Sequence, residues 1–177
     1  VLFTNGYVTA PQSVPSRAGL ITGRHQNAFG LEDNLKGPLP LDEYTIAERL
    51  QYTGYVTGMV GKWHLALVPR EDGSGWRRSE NHFPLNHGFE EYFYGSMQRY
   101  HASHDLEGNP LNNPPQIITD NRYRIDIQTD AALSFLDRRQ AGDRPFFLYL
   151  AYFGPHSPME DPPHYMKRLA HVEEYER

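Results

Sequence analysis

The sequence contains no cysteine. Disulfides, thiolate nucleophiles and zinc–thiolate centres are excluded, while the compartment is left open, because a cysteine-free chain suits oxidising and reducing surroundings alike. Long apolar runs are missing too. The longest, Phe146 to Phe153, falls far short of the ~20 residues that cross a bilayer, so no membrane span is expected. No basic segment followed by an apolar stretch marks a signal peptide. Positive charge is in the minority: 17 Lys and Arg against 22 Asp and Glu give a net charge of −5. That balance argues against a nucleic-acid binder that works by neutralising phosphates.

What is present fits a loop-rich globular chain. The 15 Gly and 14 Pro supply turns, and 9 Phe, 12 Tyr and 2 Trp supply aromatic surface for a core. A length of 177 residues allows one domain of ordinary size. Val1 to Tyr7 reads as a short strand. Pro15, at a favoured first helical position, opens a helix that Gly23 closes. Leu39 to Glu43 leads into a second helix through about Tyr52, with Ile46, Ala47 and Leu50 on its apolar face and acids in its first turn. Tyr55 to Val60 reads as a buried strand. Residues 69–122 resist assignment, being rich in loop chemistry such as Gly73-Ser74-Gly75 and Asn112-Asn113-Pro114-Pro115; such a stretch is functional or hides short strands. Ile125 to Arg139 is helical, and Pro145 to Phe153 reads as a central strand buried on both faces. Strands alternating with helices indicate an α/β fold with a largely parallel central sheet flanked by helices.

Chemically capable residues gather at strand ends and at a helix mouth. Lys62 and His64 follow one strand, two residues apart and so facing one way. His156 follows another. Ligands of open α/β sheets bind beyond the carboxyl ends of such strands. Ser13 stands before a helix N-terminus, where negative charge is favoured, and Arg17 lies one turn on. Together they form an anion pocket: Arg17 and Lys62 to bind an oxyanion, the histidines to move protons near neutral pH. Each residue also has a plain reading. Ser13 could be an N-cap, Arg17 a surface ion-pair residue, Lys62 and His64 a strand terminus, and His156, between Pro155 and Pro158, a rigid turn.

Ser13-Val14-Pro15-Ser16-Arg17, followed by Leu20-Ile21-Thr22-Gly23-Arg24, resembles the first signature of the type I, formylglycine-dependent sulfatases. Gly54-Tyr55-Val56-Thr57 with Val60-Gly61-Lys62-Trp63-His64 is similar to their second. His87-Gly88-Phe89-Glu90 and the strand leading to Pro155-His156-Ser157-Pro158 are similar to two further segments, all in family order. The resemblance is strongest to bacterial carbohydrate sulfatases and implies the alkaline phosphatase-like fold. It implies hydrolysis of sulfate esters, of a sulfated carbohydrate or an aryl sulfate, by a formylglycine made from Ser13. One hydroxyl of the aldehyde hydrate attacks sulfur and releases the alcohol; deprotonation of the other expels sulfate as the aldehyde re-forms. By position Arg17 holds the hydrate, Lys62 binds sulfate oxygens, His64 is the base, and His156 binds sulfate and assists the leaving group.

The resemblance also implies one Ca²⁺ ion, with the modified Ser13 among its ligands. The family's paired aspartates and its later Asp-Asn or Asp-His pair have no counterpart here. Residues 1–177 are therefore expected to be a segment of the N-terminal catalytic domain, incomplete at both ends, with the carboxylate ligands outside it. A formylglycine-generating maturation enzyme is an implied partner, and a periplasmic or extracellular location is expected. His101, Ser103 and His104, in the long loop region, are candidates for substrate binding, with surface polarity on a loop as their plain alternative. Two other functions stay open: phosphonate monoester or phosphodiester hydrolysis by the same machinery, and sulfated-glycan binding by an unmodified Ser13. A metal-free structural module is the non-enzymatic alternative.

Overall fold

The computed structural model of the chain describes residues 2, 4–111, 116–169 and 171. Helix α1 (Ser13–Thr22) follows Gln12, which is extended and makes no side-chain cap. Asn34 caps it from outside: its Oδ1 accepts from the Val14 amide at 2.9 Å, while Gln12 Oε1 accepts from the Asn34 amide at 2.7 Å. Gly23, left-handed at φ 67°, ends the helix. Helix α2 (Ile46–Tyr52) starts later than its acids suggested, because the start is set by a capping box between Thr45 and Glu48. Of its apolar face only Ala47 is buried, and Ile46 is exposed.

Strand β1 (Val56–Gly61) is buried throughout and lies between two parallel neighbours, β4 (Glu91–Gly95) and β7 (Phe146–Ala151). Strands β5 (Arg99–Ala102) and β6 (Gln116–Thr119) continue the sheet in antiparallel fashion, giving the order β6-β5-β4-β1-β7. A hairpin of β2 (Leu67–Pro69) and β3 (Trp76–Arg78) stands apart from it. Alternation along β1, β4 and β7 sorts the core into two faces. Met59, Tyr92, Tyr94 and Ala151 pack with Val14, Ala18 and Ile21 of α1 and Ala47 of α2. Val60 and Phe93 pack with Ile127, Ala131 and Ala132 of α3 (Arg124–Gln140). A short helix α4 (Pro163–Met166) follows β7.

Three expectations change. Among the described residues of 1–7, none forms a strand; Val1 and Phe3 lie outside the description. The stretch 69–122 holds four short strands, β3 to β6, hidden because β4 is buried on both faces and so shows no alternation. Asn112 to Pro115 fall outside the described residues. Finally, β7 is apolar on both faces but is the outer strand of the sheet among the described residues, which leaves Phe146 and Leu150 exposed.

Candidate active site

The sheet ends in a cleft where Gly61 of β1 pairs with Ala151 of β7. Gly61 has φ 106°, and a Cβ there would collide with the Ala151 carbonyl, so only glycine lets the strands come this close. The Lys62 amide then donates to that carbonyl at 2.7 Å. Trp63 turns into the core and donates its indole N–H to His82 O at 2.8 Å, so Lys62 and His64 line the cleft. His64 adopts φ 63°, a left-handed conformation that costs energy in a residue with a Cβ and recurs at functional sites.

Ser13 heads α1 on the opposite wall. It is not the N-cap, since Asn34 takes that role, and its hydroxyl is free to accept from Arg17 Nε at 3.1 Å. Arg17 is no surface ion-pair residue either. Its Nη1 donates to the Lys62 carbonyl at 2.8 Å and to the Tyr149 hydroxyl at 3.2 Å, tying α1 to the residue after β1 and to β7. His156 reaches the cleft from the turn after β7. Its Nδ1 lies 2.7 Å from Ser157 O; a carbonyl only accepts, so Nδ1 carries a proton and Nε2 is the free nitrogen. Arg124, buried at the start of α3, holds this turn by donating to His156 O at 2.6 Å and to Pro158 O, and it pairs with Glu160 at 2.5 Å. Lys62 Nζ and the Arg124 guanidinium both sit on the Phe153 ring, 4.7 and 5.0 Å from its centre.

The structure thus brings Ser13, Arg17, Lys62, His64 and His156 together, and no carboxylate lines the cleft among the described residues. Burial and the Arg17 charge push Lys62 down to about 8. Burial, with Lys62, Arg17, His156 and Arg78 around it, pushes His64 down to about 4, so His64 is a neutral base at pH 7. Sequence reasoning missed Asn34, Tyr149 and Arg124. Tyr149 had the period-two placement of β7 as a signal, whereas Arg124 had none, since its role depends on a turn 32 residues away.

The three substrate-binding candidates are not brought to this cleft. His101 stacks on Tyr94 at 5.2 Å and meets the Phe83 ring at 5.1 Å, behind the cleft wall. Ser103 and His104 follow β5, which runs antiparallel to β4. The Ser103 hydroxyl accepts from the Tyr92 amide at 2.9 Å and lies 3.1 Å from His104 Nδ1. Tyr92 is level with Met59, well before the strand end that carries Lys62, so both residues sit toward the other end of the sheet. There His104 lies 3.8 Å from Glu91, which Arg138 and Arg139 also hold.

Among the described residues no group of three His, Asp or Glu side chains could hold a metal ion, and none contributes to a membrane-crossing helix. A Ca²⁺ ion takes six to eight oxygen ligands rich in carboxylate. The cationic lining of this cleft does not by itself fit one.

The family model described as "Sulfatase" matches residues 1–176. The chain is 38% identical over 183 residues to the uncharacterized sulfatase YdeN of Escherichia coli, covering 92% of this chain and 31% of YdeN. It is 31% identical over 187 residues to the N-acetylgalactosamine-6-sulfatase of Canis lupus familiaris, covering 90% and 33%. Among solved structures, Ps i-CgsB in complex with k-i-k-neocarrahexaose matches with a TM-score of 0.73 at 27% identity, covering 97% of this chain and 41% of that one. The chain therefore spans about a third of the length of the curated relatives it matches.

Proposed function

Because this chain belongs to the sulfatase family, we propose that it is a segment of the N-terminal catalytic domain of a sulfuric ester hydrolase. Its substrate on this reading is a sulfated carbohydrate or an aryl sulfate, and its reacting residue is Ser13 after oxidation to formylglycine. One observation carries the reading: the Ser13 hydroxyl is relieved of helix capping and faces Arg17, in a cleft lined by cations and no acid. The formylglycine hydrate supplies a nucleophile whose ester can be discharged by carbon–oxygen cleavage, which a plain serine ester cannot do.

This chain's own residues then have distinct tasks. Arg17 orients the oxygen on residue 13 through Nε and is itself fixed by Lys62 O and Tyr149. Lys62, an ammonium below about pH 8, binds the sulfate oxygens. His64, neutral above about pH 4, takes the proton whose loss frees sulfate. His156 faces the leaving oxygen and binds sulfate, its ring held by the Ser157 carbonyl and its turn by Arg124. Family members carry one Ca²⁺ ion; on this reading its carboxylate ligands lie outside the described residues, and no step above runs through it. A maturation enzyme oxidises Ser13, and a periplasmic or extracellular location accords with extended sulfated glycans as substrates.

The test joins mass and rate. The Ser13 peptide of the full-length protein should weigh two hydrogens less than its unmodified form, or that aldehyde plus water. Such protein should release sulfate from an aryl sulfate faster than it cleaves an aryl phosphonate, and Ser13→Ala should abolish the release. Unmodified Ser13 with glycan binding but no turnover would leave only a binding role, and a dominant phosphonate rate would move the reaction to that ester class.

A further inference from the structure

Beside the cleft lies a second chamber of about 280 Å³, which shares Lys62, His64 and His156 with it as a common boundary. A group esterified at the sulfate position continues into this space. Its remaining walls include Arg78, Tyr94, Ser96 and Phe153.

Two features show what it is built to hold. Tyr94 is only 4% exposed, yet its hydroxyl has no hydrogen-bond partner. The ring is locked in place by Phe83, edge-on at 5.2 Å, and by His101, stacked at 5.2 Å, so the hydroxyl cannot swing away to find water. Burial pushes its pKa up, keeping it a proton donor. Arg78, a solvent-exposed residue at the end of β3, pairs with no acid among the described residues and lines the chamber, whose lining holds no carboxylate. An orphan donor and an unpaired guanidinium on one chamber call for an acceptor that carries negative charge.

We infer that this chamber is a saccharide subsite in which Arg78 and the Tyr94 hydroxyl bind a second anionic group, sulfate or carboxylate, on the sugar that carries the scissile sulfate. The inference rests on the sulfatase reading for what occupies the neighbouring cleft. Arg78, not the catalytic set, then decides between doubly and singly charged substrates. Phe153 supplies an apolar surface for the sugar ring.

The decisive experiment measures binding, so that turnover does not enter it. Full-length protein with unmodified Ser13 is titrated calorimetrically with three disaccharides, bearing two sulfates, one sulfate and one carboxylate, or one sulfate alone. At least one doubly charged ligand should bind at least about ten-fold more tightly than the single sulfate, and the better of the two identifies the second anion. Arg78→Gln should cut that ratio to less than about three-fold, Arg78→Lys should restore part of it, and Tyr94→Phe should lower it by a smaller factor. A wild-type protein without preference, or an Arg78→Gln variant weakened equally for all three ligands, overturns the inference. Aryl sulfate turnover by the matured enzyme reports separately: turnover without the preference sinks the subsite alone, and the preference without turnover sinks the hydrolase reading alone.

Discussion

Raising the pH through 8 should weaken the cleft's hold on sulfate, and the slope of that loss identifies the group responsible. Lys62 titrates near 8 in place of 10.5, because burial and the Arg17 guanidinium both penalise its charge. A drop of that size costs the ammonium on the order of 3 kcal/mol. Sulfate binds the charged form, so above about pH 8 its affinity should fall roughly ten-fold per pH unit, and each binding event should take up one proton. Below that the Lys62 contribution should be constant, and His64, near 4, changes charge only lower still. Titration calorimetry with inorganic sulfate, in two buffers of different protonation enthalpy, reads both the affinity and the proton count. Folding stability moves the opposite way. Between about pH 8 and 10.5 the unfolded chain keeps a proton on Lys62 that the folded chain has lost, so this group's contribution to stability rises with pH. An affinity constant to pH 9.5 would refute the assignment, and so would an alkaline decline that survives in Lys62→Met.

Arg17→Met removes the bonds to Ser13, the Lys62 carbonyl and Tyr149. It should lower stability by about 2–3 kcal/mol in denaturant titration and move the alkaline limb of sulfate binding upward, though not to 10.5, because burial of Lys62 is the larger cause and remains. Gly61→Ala drives a Cβ into the Ala151 carbonyl at a positive φ; a loss above about 3 kcal/mol is expected, and a midpoint near that of the parent would contradict the close β1–β7 approach. Thr45→Ala deletes the capping box of α2 and the hydroxyl bond to His87 O at 2.8 Å. It should cost about 1–2 kcal/mol, with Thr45→Ser recovering most of it.

The elements that sequence reading located well were those whose signal is local. Gly23 and the periodicity of α3 set helix positions within a residue or two, and the run before His156 gave β7 to within two residues at each end. The cleft residues were legible because each directly follows a strand or heads a helix, so topology alone converges them. What stayed hidden depends on distant partners. The start of α2 is decided by Thr45, not by the acids before it. Strands β4 to β6 lack alternation or are too short to show it, so pairing makes them strands. Ser103 and His104 were candidates for substrate binding because they lie in the long loop region, yet the antiparallel run of β5 carries them away from the cleft.

How the cleft's cations are held says what they await. Several arginines elsewhere meet carboxylates: Arg24 with Glu43, Arg122 with Asp120 and Asp130, Arg138 and Arg139 with Glu91. Arg17 is positioned just as firmly, but by a hydroxyl, a backbone carbonyl and a phenol, all neutral. Neutral acceptors fix geometry without cancelling charge, so the guanidinium field reaches the cleft undiminished. That field adds to burial, the larger cause, in lowering the pKa values of Lys62 and His64. A chain of net charge −5 has acids to spare, yet none lines this cleft among the described residues. Removing the acids costs stability in the empty site and returns it when an anion binds, because the ligand supplies the counter-charge that the fold withholds. That exchange also requires Lys62 and His64 to respond differently. Bound sulfate restores the ammonium of Lys62, while His64, held lower first by burial and then by its charged neighbours Lys62, Arg17 and Arg78, stays free to accept a proton.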